Sequence, residues 1–134
     1  MNRHPYVRAY MAGVLLPNWF LLVVLAGLTV YGIPSPFERV IMFPLIVVPN
    51  LWGAWNTLYI AMALKRRLPL GVWGALLPLI LLPLGLLLQK FLGLELFVLR
   101  DVLQVAPLLP VAMGVYYLAW RHIVGFFNRV VGME

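Results

Sequence analysis

Residues 47–59 read VVPNLWGAWNTLY, and the side chains in that stretch able to do chemistry are Asn50, Asn56, Trp52, Trp55 and Tyr59. An amide offers two N–H donors and a carbonyl acceptor. Indole and phenol attach a polar handle to a large apolar ring. Asn56 flanked by Trp52, Trp55 and Tyr59, with Tyr116, Tyr117 and Trp120 as candidates opposite, has the composition of a small-molecule site: apolar walls and a few placed polar groups. The same amide also suits a second task, hydrogen bonding between helices that pack closely. A lipophilic ligand and a helix contact are therefore both open from the sequence.

Other chemistry has fewer raw materials. The chain has no cysteine, which excludes disulfides, thiolate metal sites and a cysteine nucleophile. Its two histidines, His4 and His122, stand beside Pro5 and Arg121 and read as solvated interfacial residues rather than a metal site. Serine occurs once, at Ser35. No glycine-rich nucleotide loop is present. The pattern calls for no catalytic residue, no metal and no cofactor. The expectation is a non-catalytic protein, either an accessory or assembly subunit or a binder of a lipophilic molecule. A small transporter or channel-forming subunit is the alternative, disfavoured because proton-coupled transport relies on a buried ionisable residue and the acids all stand at segment ends.

The elements that position these residues follow from composition. Of 134 residues, 64% are hydrophobic and 10% charged, and the mean hydropathy is +0.99. A soluble domain has roughly a quarter charged residues, so this chain reads as a single integral membrane domain, 1–134. The net charge of +6 is distributed between apolar segments and reflects topology, not nucleic-acid binding. Four stretches reach the ~20 apolar residues a spanning helix needs: 10–31, 40–64, 70–92 and 102–124. The first exceeds the roughly 7–15 apolar residues of a signal-peptide core and is read as retained. No stretch alternates with period two, so an all-α bundle of four transmembrane helices is expected.

Orientation follows from Lys and Arg. Seven gather at one end (Arg3, Arg8, Lys65, Arg66, Arg67, Arg121, Arg129) and three at the other (Arg39, Lys90, Arg100), which puts both termini in the cytoplasm. Tyr10, Trp73 and Trp120 are expected at the inner interface. The four acids, Glu38, Glu95, Asp101 and Glu134, all fall at segment ends and read as interfacial anchors. Partners implied by this layout are the lipid bilayer, a membrane-protein partner or a second copy, and a lipophilic small molecule.

On a 3.6-residue wheel, Asn50, Gly53, Ala54, Thr57 and Ala61 share one stripe of the second helix. Small and hydrogen-bonding residues on one stripe suit a close helix contact in a membrane. Asn56 lies at the edge of the opposite, aromatic face, and counting in from Lys65 places it near the midplane. Prolines 44, 49, 107 and 110 are expected to break the second and fourth helices, and Pro78 and Pro83 to interrupt the third. A shift of 61 residues aligns Gly13 with Gly74, Pro17 with Pro78, Gly32 with Gly93, Arg39 with Arg100, Pro49 with Pro110 and Gly53 with Gly114. That register raises a parallel duplication of a two-helix unit.

Overall fold

The computed structural model describes residues 4–33, 45–62, 67–93, 103–104 and 106–133. Among them the chain is all-helical and forms four rods. The first is α1 (Pro5–Val30) and the second α2 (Val48–Ala61). The third is α3 (Leu70–Ala75) continued by α4 (Leu77–Leu92). The fourth runs from a 3-10 turn (Ala106–Leu108) through α5 (Leu109–Leu118) and a π-helical turn (Ala119–Val124) to α6 (Gly125–Val130). Two helices are long and apolar enough to cross a membrane, Pro5–Val30 and Leu70–Phe91.

Contacts set the directions. Tyr10 bonds to Asn50, Asn56 to Ala9 and Thr57 to Tyr6, so numbers rise on α2 as they fall on α1. These two helices are antiparallel. Trp55 meets Trp73 and Tyr59 meets Leu68, which makes α2 and α3 antiparallel as well. Between α2 and the fourth rod, Trp52 meets Tyr116 and Trp120 while Asn56 meets Asn128, so these two run the same way. The core lies between them: Trp52, Leu77, Trp120 and Val124 are buried together. Arg8 reaches the carbonyl of Val131 (3.2 Å), which ties the start of α1 to the end of the fourth rod.

Glycine permits the closest approach. A Cβ on Gly13 would stand 2.6 Å from the Trp52 carbonyl oxygen and 2.9 Å from Gly53 Cα, so α1 and α2 touch backbone to backbone there. A Cβ on Gly74 would fall within the Trp120 side chain.

Several expectations need correction. The fourth rod does not end at 124 but continues to Val130. Pro49 and Pro110 stand in the first turns of α2 and α5, and each is entered through a non-α turn, π-helical over 45–47 and 3-10 over Ala106–Leu108, so regular helix is interrupted beside these prolines. Pro107 lies in the 3-10 turn, and Pro44 is outside the described residues. Pro17 and Pro83 are the prolines inside helices. Trp120 is fully buried, and Trp73 is partly buried, stacked on Trp55 against the core.

At the positions aligned by the 61-residue shift, Gly32 and Gly93 follow their helices with φ of 62° and 64°, a conformation glycine adopts freely. Gly13 and Gly74 are both buried, as are Pro17 and Pro78. Gly53 and Pro49 are buried whereas Gly114 and Pro110 are exposed. Arg39 and Arg100 are outside the described residues.

Candidate functional site

Asn56 is completely buried. Its Nδ2 donates to the Ala9 carbonyl (2.7 Å) and to Asn128 Oδ1 (2.8 Å), and Asn128 Nδ2 donates back to Asn56 Oδ1 (3.2 Å). The two amides thus form a reciprocal pair that also holds the backbone of α1, linking three rods at one point. Asn128 is 2% exposed. A buried amide without partners would cost several kcal/mol; here both N–H groups of Asn56 are used. The pair is level with Ala9, about 6 Å along α1 from its first residue at 1.5 Å per residue. Asn56 is therefore near the basic end of the bundle and not at its middle, as counting from Lys65 suggested.

The six aromatic candidates divide into three groups. Trp52 packs against Tyr116 (ring centroids 5.0 Å apart) and Trp120 (5.3 Å). Trp55 stacks on Trp73 at 4.2 Å with the ring planes 10° apart. Each indole of that pair donates to the other residue's carbonyl: Trp55 Nε1 to Trp73 O at 2.9 Å and Trp73 Nε1 to Trp55 O at 3.0 Å. Tyr59 joins that pair, its ring centroid 6.2 Å from that of Trp73, and is buried, its hydroxyl donating to the Leu68 carbonyl (2.8 Å). Tyr117 turns away from these, accepts a hydrogen bond from Arg121 Nη1 (3.0 Å) and lies against Gly71. Among the described residues, Trp52 packs on Tyr116 and Trp120, and Trp55 on Trp73, in the space between the rods.

The small-residue stripe is rotated from its expected position. Gly53 is buried against Tyr10 and Val14. Asn50 Oδ1 accepts from the Tyr10 hydroxyl, while its Nδ2 donates to Ile46 O (2.6 Å). Thr57 Oγ1 bonds to Gly53 O at 2.9 Å, with Tyr6 O at 3.3 Å. Ala54 and Ala61 are exposed. The face toward α1 is centred nearer Gly53 and Asn56, and that turn carries the two alanines out of it.

A cavity of about 400 Å³ opens elsewhere at the same end, between Pro69, Leu70 and Gly71 on one side and Tyr117, Arg121 and Arg129 on the other. His4 and His122 are exposed, and no group of three or more His, Cys, Asp or Glu side chains comes together among the described residues.

No family model matches the chain, and no curated protein or solved structure does either. Function has to be read from the geometry.

Sequence reasoning missed Asn128 and the pairing of Trp55 with Trp73. A signal for Asn128 existed: it continues the four-residue spacing of Trp120 and Val124.

Proposed function

We propose that the chain is a small multi-pass membrane protein with a non-catalytic accessory or assembly role, both termini in the cytoplasm. The observation that carries this reading is the Asn56–Asn128–Ala9 junction. The two buried amides, Asn56 and Asn128, are spent on holding helices together, while large apolar side chains such as Trp19, Phe20, Val23, Leu87 and Phe91 face outward. Large contiguous apolar surface marks a membrane or protein contact. The two longest apolar helices support the membrane part, because their most apolar windows are only 17% and 28% buried. A core helix of a soluble protein would be covered.

The seven-to-three Lys/Arg asymmetry supports the orientation. Arg8, Arg121 and Arg129 stand at the end where α1 begins, and Lys90 in the last turn of α4. Since the chain has no cysteine, single cysteines at Arg3, Ser35, Arg67, Glu95 and Val130 give unambiguous labelling; external labelling at Arg67→Cys sinks this topology. An internal duplication is supported by Gly13/Gly74, Pro17/Pro78 and Gly32/Gly93, and not by Gly53/Gly114.

Ligand binding among the aromatic candidates has little support, because those rings occupy one another's space. Transport has less, because the buried amides bond to each other. Native mass spectrometry of gently solubilised protein tests the accessory reading. It requires a co-purifying membrane-protein partner or a defined oligomer. Solute flux in liposomes containing the chain alone would favour the transport alternative.

A further inference from the structure

Arg121, Gly125 and Arg129 follow one another at four-residue intervals and all line the cavity of about 400 Å³. We propose that this cavity binds a phosphate group, clamped between the two guanidiniums above Gly125. Gly125 places no side chain between the two arginines, and Leu70 from the facing wall packs beside it, 3.6 Å from where a Cβ would stand. Pro69 and Leu70 form the facing wall. Arg121 is oriented in advance by its bond to the Tyr117 hydroxyl (3.0 Å). Guanidinium forks suit phosphate oxygens because they form paired, charge-assisted hydrogen bonds. The chain's acids, at 38, 95, 101 and 134, lie outside the described residues.

The phosphate can belong to an anionic phospholipid or be free in solution. The lipid source rests on the membrane reading above, which puts this cavity at the cytoplasmic interface, where basic pockets between helices hold lipid headgroups. The shared chemistry is the phosphate. Its source is decided by experiment.

Purified protein is placed in nanodiscs of phosphatidylcholine, in discs of roughly four-to-one phosphatidylcholine and phosphatidylglycerol, and in phosphatidylcholine discs with inorganic phosphate added. Thermal melting and native mass spectrometry read each sample. The lipid source gives a raised melting temperature and retained phosphatidylglycerol in the second sample. Occupancy then falls about fivefold for each of Arg121→Gln and Arg129→Gln. Stabilisation by inorganic phosphate instead, with the same arginine dependence, supports the site and assigns it a free anion. Both arginines are exposed, so the variants should melt like wild type in phosphatidylcholine alone. That measurement separates lost binding from lost folding. Lys90→Gln, at the opposite end, leaves occupancy unchanged. The proposal is overturned if neither anion depends on the two arginines, or if Lys90→Gln weakens retention as much. Release of the chain from membranes by alkaline carbonate would sink the membrane reading alone, since the inorganic-phosphate measurement can still be made in solution.

Discussion

The C-terminal half of α1 is the more apolar of the two, yet the N-terminal half is the one that is buried. Its buried residues, Ala9, Ala12, Gly13 and Pro17, all belong to the N-terminal half. There the helix presses its backbone onto α2 and receives the Asn56 amide. Beyond Pro17, Trp19, Phe20, Leu22, Val23 and Val30 are exposed. The buried positions are small residues and the exposed ones mostly large, the reverse of a soluble protein's habit. The difference teaches that hydrophobicity does not decide what is buried in such a chain. Close approach does, and the smallest residues mark where it happens. Near the basic end the fold depends on fit and on amide pairing; along the second half of α1 few of the described residues pack against the helix.

The sharpest way to break this comparison is to place the same side chain in both halves. Gly13→Leu should cost at least about 3 kcal/mol or prevent folding, since overpacking a filled contact costs 1–3 kcal/mol and here the obstacle is backbone. Gly27→Leu on the same helix should be neutral or slightly stabilising, because nothing lies within 4 Å of a Cβ there and leucine is the better helix former. Thermal unfolding in detergent compares them; equal melting temperatures would mean that the α1–α2 contact is not tight. Gly53→Leu should behave like Gly13→Leu, its Cβ meeting Tyr10 Cδ2 at 2.6 Å and Val14 Cγ1 at 2.7 Å.

Next in size is Asn56→Leu, expected to lose about 1–3 kcal/mol by stranding the Asn128 amide. The double variant with Asn128→Leu should be less damaging than the sum of the two, with a coupling of about 0.6 and at most about 1.7 kcal/mol. Strict additivity in a double-mutant cycle would show that the amides do not act as a pair. Trp55→Phe removes one of the two reciprocal indole bonds but keeps a ring against Trp73, and about 1 kcal/mol should be lost. The smallest effect belongs to the exposed half of α1: Phe20→Leu should move stability by less than about 0.5 kcal/mol. A larger loss from Phe20→Leu in detergent would reveal a packing contact at that exposed position.

The helical class was legible because apolar runs with breaks of proline, glycine and charge admit little else. The buried Asn56 was legible too, since an amide in so apolar a stretch must find a partner. Which partner was not, because Asn128 lies past Arg121 and His122, which resemble the end of a span. The stripe on α2 was misplaced for a related reason. A wheel groups residues by angle but cannot say which angle faces the neighbour, and Ala54 and Ala61 are only a modest rotation from the contact. The aromatic residues were recognised as a set, but composition alone does not distinguish rings that wall a cavity from rings that fill it.

The π-helical turn at Ala119–Val124 has a consequence for phase. An α-helix advances about 100° per residue, so across the eight steps from Trp120 to Asn128 it would leave the two side chains about 80° apart. A π turn inserts one residue without advancing the helix, so eight steps count as seven and the mismatch shrinks to about 20°. The turn therefore works as a fixed phase correction, letting one helix present Trp120 to Trp52 and Asn128 to Asn56 along the same line. Deleting the exposed residue Ile123 should remove the extra residue and the π turn together, leaving seven regular steps from Trp120 to Asn128 and the same offset of about 20°. An α turn that kept all eight steps would instead swing Asn128 about 100° away from its partner, although every side chain that makes the core contacts would still be present.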